Sequence, residues 1–174
     1  IEPLEQRVLL STAVWEPMGP SPTENGQVEG LGGQNNPVSG AIHTVAAHPV
    51  DAGTLYIGAV NGGIWKTENA TVTNPTWTPL TDFETSLSMG ALEFDPTDGT
   101  NQTLVGGFGR YASFTGRPSG PLDGLIRTTD GGTNWDSLDG GGTLQGVTIS
   151  GVAARGTSIV TAGSQLSGGG GIYH

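Results

Sequence analysis

The stretch RTTDGGTNWDSL, residues 127 to 138, holds a carboxylate whose surroundings could support chemistry. Asp130 follows two threonines and precedes two glycines, and Trp135 comes five positions later. An acid in such a loop could bind a metal or transfer a proton, or it could close a tight turn. Asp-Gly is a strong hairpin signal because glycine adopts positive φ without steric cost, and an aspartate side chain accepts hydrogen bonds from nearby backbone amides. We therefore predict that Asp130 closes a turn between two strands.

The other residues with ligand chemistry do not form a metal-binding pattern. His43 and His48 lie five apart, which puts them on opposite faces of a strand, and no acidic residue stands beside them at a zinc-ligand spacing. The segment DPTDGTNQ, residues 95 to 102, lacks the alternating acids of a calcium loop and is typical of a turn. We predict no metal site and no cofactor, with weak calcium binding at acidic turns left open.

One loop is longer than a connection between strands requires. Residues 107 to 124, GFGRYASFTGRPSGPLDG, stand where the first repeat has only AVNGG, and long loops are uncommon unless they are functional or disordered. Aromatic and guanidinium groups of this kind suit stacking on sugar rings or gripping a protein partner. We predict a contact surface here, with a mobile excursion as the alternative. Its candidate ligand contacts are Phe108, Arg110, Tyr111, Phe114 and Arg117.

Composition and charge exclude several classes of protein. The 174 residues include 31 glycines and 11 prolines, with 13% charged residues, so turns are frequent and an all-β chain is favoured. The net charge of −10 repels a phosphate backbone, which argues against nucleic acid as a partner. No apolar run approaches the roughly 20 residues that a membrane-spanning helix needs, so we predict no membrane insertion.

The chain contains a repeat that positions these candidate residues. AIHTVAAHPVDAGTLYIGAVNGGIWKTE begins at Ala41, a second copy begins near Met89 and resumes at Asp123, and a third begins with VTISGVAARGTSIVTAG. Each copy reads as four short strands joined by turns, which is typical of a β-propeller blade. We predict a partial β-propeller of about two and a half four-stranded blades over residues 41–174. The blades span about 41–82, 87–139 and 145–174, after a tail at 1–14 and an opening strand and linker at 15–40.

The first strand of the first repeat has apolar residues on both of its faces. Ile42, Thr44 and Ala46 alternate with His43, Val45 and Ala47. Strands buried on both faces carry such near-continuous apolar runs. We therefore expect this strand to be covered on both sides, as an inner strand stacked between neighbouring blades would be.

Several motifs together resemble bacterial BNR-repeat and YVTN-like propellers, which are related to sialidases and more distantly to xyloglucanases. WEPMGPSP, VSGAIHTVAAHP, TLYIGAVNGGIWKT, WTPLTD and GLIRTTDGGTNW carry this resemblance in order. It implies that the opening strand at Trp15–Pro20 completes the last blade of a ring, and that the chain is a fragment of a larger protein. It also implies a structural Asp-box, a turn remote from any active site, formed by Thr128, Asp130, Gly132, Asn134 and Trp135.

The first repeat departs from this Asp-box pattern. Lys66-Thr67-Glu68-Asn69 aligns with residues 127–130, but ATVTNPT intervenes before Trp77 and no glycine follows Asn69. We expect a longer and looser turn there. At the N-terminus, LEQRVLLS, residues 4 to 11, resembles the LEPR-XLL motif of very large bacterial surface or secreted proteins, which implies an extracellular or cell-surface location.

The catalytic residues of the enzymes in this group do not match. Where xyloglucanases carry their first acid, the stretch GAVNGG places Val60 or Asn61, and the five arginines lack the sequence context of the sialidase triad. The sequence therefore favours a non-catalytic propeller segment of a large exported protein, in adhesion, glycan binding or scaffolding, with a carbohydrate or protein partner. The alternative is part of a glycoside hydrolase, xyloglucanase-like or sialidase-like, whose catalytic residues lie outside this segment.

Overall fold

A computed structural model describes residues 18–19, 41–109, 120–165 and 168–174. The described residues form eleven β-strands arranged in three antiparallel sheets. The first blade contains β1 (Ile42–Ala47), β2 (Leu55–Ala59), β3 (Gly63–Thr67) and β4 (Thr78–Pro79). The second contains β5 (Met89–Phe94), β6 (Leu104–Phe108), β7 (Leu125–Thr128) and β8 (Asp136–Leu138). The third contains β9 (Val147–Arg155), β10 (Ser158–Gln165) and β11 (Gly170–Tyr173).

Within each blade, strands that follow one another in sequence also lie side by side. The sheet orders are β1-β2-β3-β4, β5-β6-β7-β8 and β9-β10-β11, and every pairing is antiparallel. Residues with positive φ permit tight corners in this meander, as Asn61 (φ 60°) does between β2 and β3 and Gly63 (φ 69°) does at the start of β3. The xyloglucanase-like position at Val60 and Asn61 therefore belongs to a hairpin turn.

The three blades stack face to face, and the first strand of each lies on the inside of the stack. Strand β5 packs between β1 and β9, so these three inner strands run alongside one another. One apolar core lies between the first and second blades, and another lies between the second and third. The described part of the chain is therefore an all-β partial propeller, as the sequence predicted. Its described residues include no helix long and apolar enough to cross a membrane.

The expectation that β1 is covered on both faces is wrong. Val45 is 58% exposed and Ala47 is also exposed, whereas Ala46 on the other face is buried against the second blade. The expected pattern occurs instead in β5, where Met89, Ala91 and Leu92 are all buried because a blade packs on each side. An apolar strand sequence therefore indicates a face suited to burial, but it does not show that a neighbour covers that face.

Candidate functional site

The Asp130 turn, residues 128–135, is closed by a network of hydrogen bonds around one carboxylate. Oδ1 of Asp130 accepts from the Thr128 hydroxyl at 2.7 Å and from the Asn134 amide at 2.9 Å, while Oδ2 accepts from Nδ2 of Asn134 at 2.7 Å. The Thr128 hydroxyl oxygen in turn accepts from the backbone amide of Gly132 at 2.9 Å. Donation from the Asn134 backbone and side chain, and from Thr128, lowers the pKa of Asp130 to about 2. The carboxylate is thus used to fold the backbone.

The same turn joins the first and second blades. The Tyr56 hydroxyl of β2 donates to the Gly131 carbonyl at 2.9 Å, and this bond is buried. Nε1 of Trp135 donates to the Gly132 carbonyl at 3.2 Å, and its ring packs against the core between these two blades together with Leu80. The turn therefore connects an outer corner of the second blade to the first blade by a buried hydrogen bond and by apolar packing.

The first blade retains this hydrogen-bond pattern, although its sequence lacks the glycines. Oδ1 of Asn69 accepts from the Thr67 hydroxyl at 2.8 Å and from the Thr76 amide at 2.9 Å, and the Asn69 amide donates to the Thr67 hydroxyl at 3.3 Å. Asn69 thus occupies the role of Asp130. The prediction of a longer turn is confirmed, but the prediction that it is loose is wrong, because one side-chain oxygen still ties both ends of the turn together.

The acidic segment 95–102 forms a turn whose Asp98 carboxylate accepts hydrogen bonds from the residues that follow it. Oδ1 of Asp98 accepts from the amide and hydroxyl of Thr100, and Oδ2 accepts from the amides of Gln102 and Thr103. These donors hold the pKa of Asp98 well below its usual range. In the part of the chain that the structure describes, no group of three His, Cys, Asp or Glu residues could hold a metal ion. The calcium alternative has no support from this turn, since amides and hydroxyls already occupy its carboxylate oxygens.

The predicted contact loop divides into a buried end and a segment outside the described residues. Phe108 is fully buried in the core between the first and second blades, so its assignment as a ligand contact is wrong. Its side chain faces the core because it follows the alternation of β6. Arg110, Tyr111, Phe114 and Arg117 lie outside the described residues.

A groove runs across the three inner strands, and sequence reasoning did not find it. Each of these strands carries a β-bulge at the same position, with the extra residue being His43, Gly90 or Ser150. All three bulge residues line one open groove of about 320 Å³. Bulges often occur near functional sites because they bend a strand and redirect a side chain. The repeated bulge therefore places one residue per blade in the lining of a shared surface, where His43 and Ser150 are exposed and Gly90 is buried. We call this surface the inner-strand groove.

Glu93 of β5 supplies a carboxylate to this groove. Glu93 and Ser150 are both among the residues that line the groove, and the Ser150 hydroxyl donates to the Ala162 carbonyl at 3.2 Å. Burial raises the pKa of Glu93, and the positive charge of Arg155 works against that rise. The groove thus combines an imidazole, a hydroxyl and a carboxyl group. These residues could hardly be predicted from the sequence. A bulge requires no particular residue types, and it shows in the sequence only as a break in the alternation of apolar and polar residues along a strand.

Comparison with known proteins supports the fold and leaves the function open. No family model and no curated protein matches the chain. Among solved structures, an ancestral GH74 enzyme is similar over 88% of this chain, with 17% sequence identity and a TM-score of 0.53. The chain spans about 15% of the length of that enzyme. The computationally designed Ika4 protein is also similar, over 80% of this chain and 94% of its own, at 12% identity and a TM-score of 0.34.

Proposed function

We propose that this chain is a non-catalytic, carbohydrate-binding segment of a β-propeller within a large exported bacterial protein. The observation that carries this proposal is the inner-strand groove, in which three equivalent bulges place His43, Gly90 and Ser150 side by side. Imidazole, hydroxyl and carboxyl groups can donate and accept hydrogen bonds to sugar hydroxyls. Adhesion or scaffolding by the whole protein would follow from such binding.

The acids that the sequence emphasises support a binding role over catalysis. Asp98 and Asp130 accept hydrogen bonds that close turns, and Asp51 accepts from the Gly53 amide at 2.9 Å and the Thr54 hydroxyl at 2.7 Å. Among the described residues that line the groove, Glu93 is the single carboxylate. Glycoside hydrolysis ordinarily uses two carboxylates across the sugar, so the described groove has the composition of a recognition surface.

Oligosaccharide titration tests the proposal. Xyloglucan-derived and cello-oligosaccharides would be titrated into the chain, with binding followed by calorimetry and by NMR shifts of the amides of His43, Gly90 and Ser150. We expect binding without release of reducing ends, and a weaker affinity by about tenfold in Glu93→Gln, as for loss of one charged hydrogen bond. Asp136→Asn, on the exposed outer strand β8, is the matched control and should bind as the wild type does.

The loop residues provide a second arm of the same experiment. Replacing Arg110, Tyr111 and Phe114 together with alanine should weaken binding if the loop is also part of the contact surface. Unchanged binding would discard the loop as a contact. Unchanged amide shifts throughout the groove, with every oligosaccharide, would discard the proposed function.

The second candidate function is that the chain is part of a glycoside hydrolase. The observation that favours it is the raised pKa of Glu93 in the groove. A carboxyl group whose pKa is raised by burial can serve as a general acid. A partner carboxylate would then have to come from residues outside the described groove. Release of reducing sugar that is abolished in Glu93→Gln would support this candidate and overturn the non-catalytic proposal.

A further inference from the structure

Phe83 is fully exposed, which sets it apart from the other phenylalanines of the described residues. Phe94 and Phe108 are both buried in the core between the first and second blades. Exposure alone does not indicate a function, because single apolar side chains are common on protein surfaces. The backbone that carries Phe83 gives the exposure its meaning, because it is held in one conformation.

Phe83 lies in the connection between β4 and β5, residues 80–88, which is fastened to the first blade where it starts. The Leu80 amide donates to the Ile64 carbonyl at 2.9 Å, and the Ile64 amide donates to Oγ1 of Thr81 at 2.8 Å. Thr81 is itself buried. The connection therefore leaves β4 in a fixed direction, two residues before Phe83.

The same connection is also held around Phe83 and near its end. The Glu84 amide donates to the Thr81 carbonyl at 3.0 Å, which closes a four-residue turn with Phe83 inside it. Further along, the Gly63 amide donates to the Leu87 carbonyl at 2.8 Å. The backbone beneath the aromatic ring is thus set before a partner arrives, so a partner that binds there pays little for ordering it.

The connection also brings Phe83 towards the inner-strand groove. It leads from the outer strand of the first blade to the inner strand of the second, and Gly90, the second residue of β5, lines the groove. Phe83 and Gly90 are seven residues apart in the sequence, so their Cα atoms lie no more than about 25 Å apart. An extended ligand of several units can therefore contact both.

Carboxylate and hydroxyl groups surround the aromatic ring, without any basic side chain in the connection. Asp82 and Thr85 are exposed and Glu84 is partly exposed, while residues 80–88 contain no lysine or arginine. The groove lining likewise contains Glu93, and the chain has a net charge of −10. An anionic ligand would therefore meet like charge here, whereas a neutral ligand rich in hydroxyl groups would find hydrogen-bond acceptors.

We propose that Phe83 stacks on one ring of an uncharged glycan, an inference that rests on the proposed carbohydrate binding. The C–H face of a pyranose ring is apolar and packs on an aromatic face, while hydroxyls at its edge reach Asp82 and Glu84. A single sugar ring fits this small apolar area. A protein partner would need several apolar anchors within an interface of about 1,000 Å² or more, and the neighbours of Phe83 in the turn are polar.

Titration of cello-oligosaccharides into a set of Phe83 variants tests the stacking. Phe83→Ala and Phe83→Leu should each bind about fivefold to tenfold more weakly than the wild type, because neither keeps an aromatic face, whereas Phe83→Trp should bind at least as tightly. Val50→Ala, which shortens an exposed side chain between β1 and β2, is the matched control and should bind as the wild type does. Because the Phe83 ring is fully exposed, urea denaturation should give the same stability for every Phe83 variant.

Matched oligosaccharides that carry uronic acids test the preference for an uncharged ligand. We expect them to bind about fivefold more weakly than the neutral ones at low salt, with a smaller difference at high salt, because salt screens exposed charges. The difference should also shrink when Asp82→Asn and Glu84→Gln are combined. Equal or tighter binding of the acidic oligosaccharides would overturn this preference.

NMR shifts of the backbone amides separate this inference from the proposed function. Shifts of His43 and Ser150 with an affinity that Phe83→Ala leaves unchanged would overturn the stacking and leave the proposed function standing. Shifts of Asp82 and Thr85, together with the weaker binding of Phe83→Ala, would support the stacking even where the groove does not respond. Binding of a basic peptide at Phe83 without binding of any oligosaccharide would overturn it, since arginine and lysine also pack on aromatic rings.

Discussion

The Asp130 turn and the Asn69 turn reach the same hydrogen-bond pattern from different sequences. In both, a threonine hydroxyl and a later backbone amide donate to one side-chain oxygen, which belongs to Asp130 in the second blade and to Asn69 in the first. In the second blade that amide is four residues beyond the acceptor, and in the first it is seven. The repeated element is therefore an oxygen acceptor held by a threonine two residues earlier.

The two turns differ in backbone conformation, because the shorter turn of the second blade requires residues with positive φ. Gly131 and Gly132 have φ values of 70° and 94°, in the left-handed region that favours glycine. The structure describes every residue from 69 to 76, and none of them has a positive φ. The three extra residues of the first blade let its chain turn with ordinary backbone angles. Glycine is thus needed only in the shorter turn, while both turns need the side-chain oxygen that accepts hydrogen bonds.

Gly132→Ala should break this comparison most severely. An added Cβ at Gly132 would lie 2.5 Å from Cδ1 of Leu80, and its φ of 94° would be strained in addition. We expect a loss of about 2–4 kcal/mol in the free energy of unfolding. Urea denaturation measures the change. A loss no larger than that of the control variant would show that Leu80 moves aside without cost.

Gly141→Ala is the matched control for this substitution. Gly141 also has a positive φ, 66°, but nothing lies within 4 Å of the position of an added Cβ. Only the backbone strain remains, so we expect a loss of about 1 kcal/mol. The difference between the two variants isolates the contact between the Asp130 turn and Leu80 of the first blade.

Exchanging the acceptor side chains, aspartate for asparagine and the reverse, changes how the stability of each turn depends on pH. The folded-state pKa of Asp130 is about 2, below the ordinary value of 3.8, so its carboxylate form stabilises the fold. That stabilisation is complete above about pH 4–5 and is lost as the pH falls towards 2. Asp130→Asn should therefore be less stable than the wild type at neutral pH, and the difference should shrink below about pH 4. Unfolding curves at several pH values measure it.

The reverse exchange tests the same idea in the first blade. Asn69 does not titrate, so its turn contributes no such dependence, whereas Asn69→Asp should introduce one with the same sign. The new carboxylate would accept from Thr67 and Thr76, as the amide oxygen does in the wild type. A pH profile of Asn69→Asp that parallels the wild type would mean that the two turns are not electrostatically equivalent.

The strands and their order could be predicted because each rests on local chemistry. Asp-Gly corners, short strands rich in valine and isoleucine, and the recurrence of these features in the same order all indicated four-stranded blades. Whether both faces of β1 are buried could not be predicted in this way. Val45 and Leu92 are equivalent apolar residues, yet one is 58% and the other 6% exposed, because burial depends on which blade lies alongside.

The candidate site was less accessible from sequence than the fold. Asp130 stands out in the sequence because a carboxylate can carry chemistry, but its oxygens accept hydrogen bonds from Thr128 and Asn134. The groove instead depends on a register shift in the inner strands, which arises from how each inner strand pairs with the strand that follows it. His43 and Ser150 are 107 positions apart in the sequence, and only the stacking of blades brings them to one surface.

The smallest expected effect concerns the secondary donor in the longer turn. The Thr76 hydroxyl donates to Oδ1 of Asn69 at 3.3 Å in an exposed position, while the Thr76 backbone amide donates to the same oxygen at 2.9 Å. Thr76→Val keeps the amide and removes the hydroxyl, so the loss in unfolding free energy should be about 0.5 kcal/mol or less. In the second blade, Asn134→Ala should cost more, because Nδ2 of Asn134 donates to a charged oxygen at 2.7 Å. Parallel urea denaturation of the two variants measures this order, and a larger loss for Thr76→Val would mean that the longer turn depends on its side-chain donor more than on its backbone.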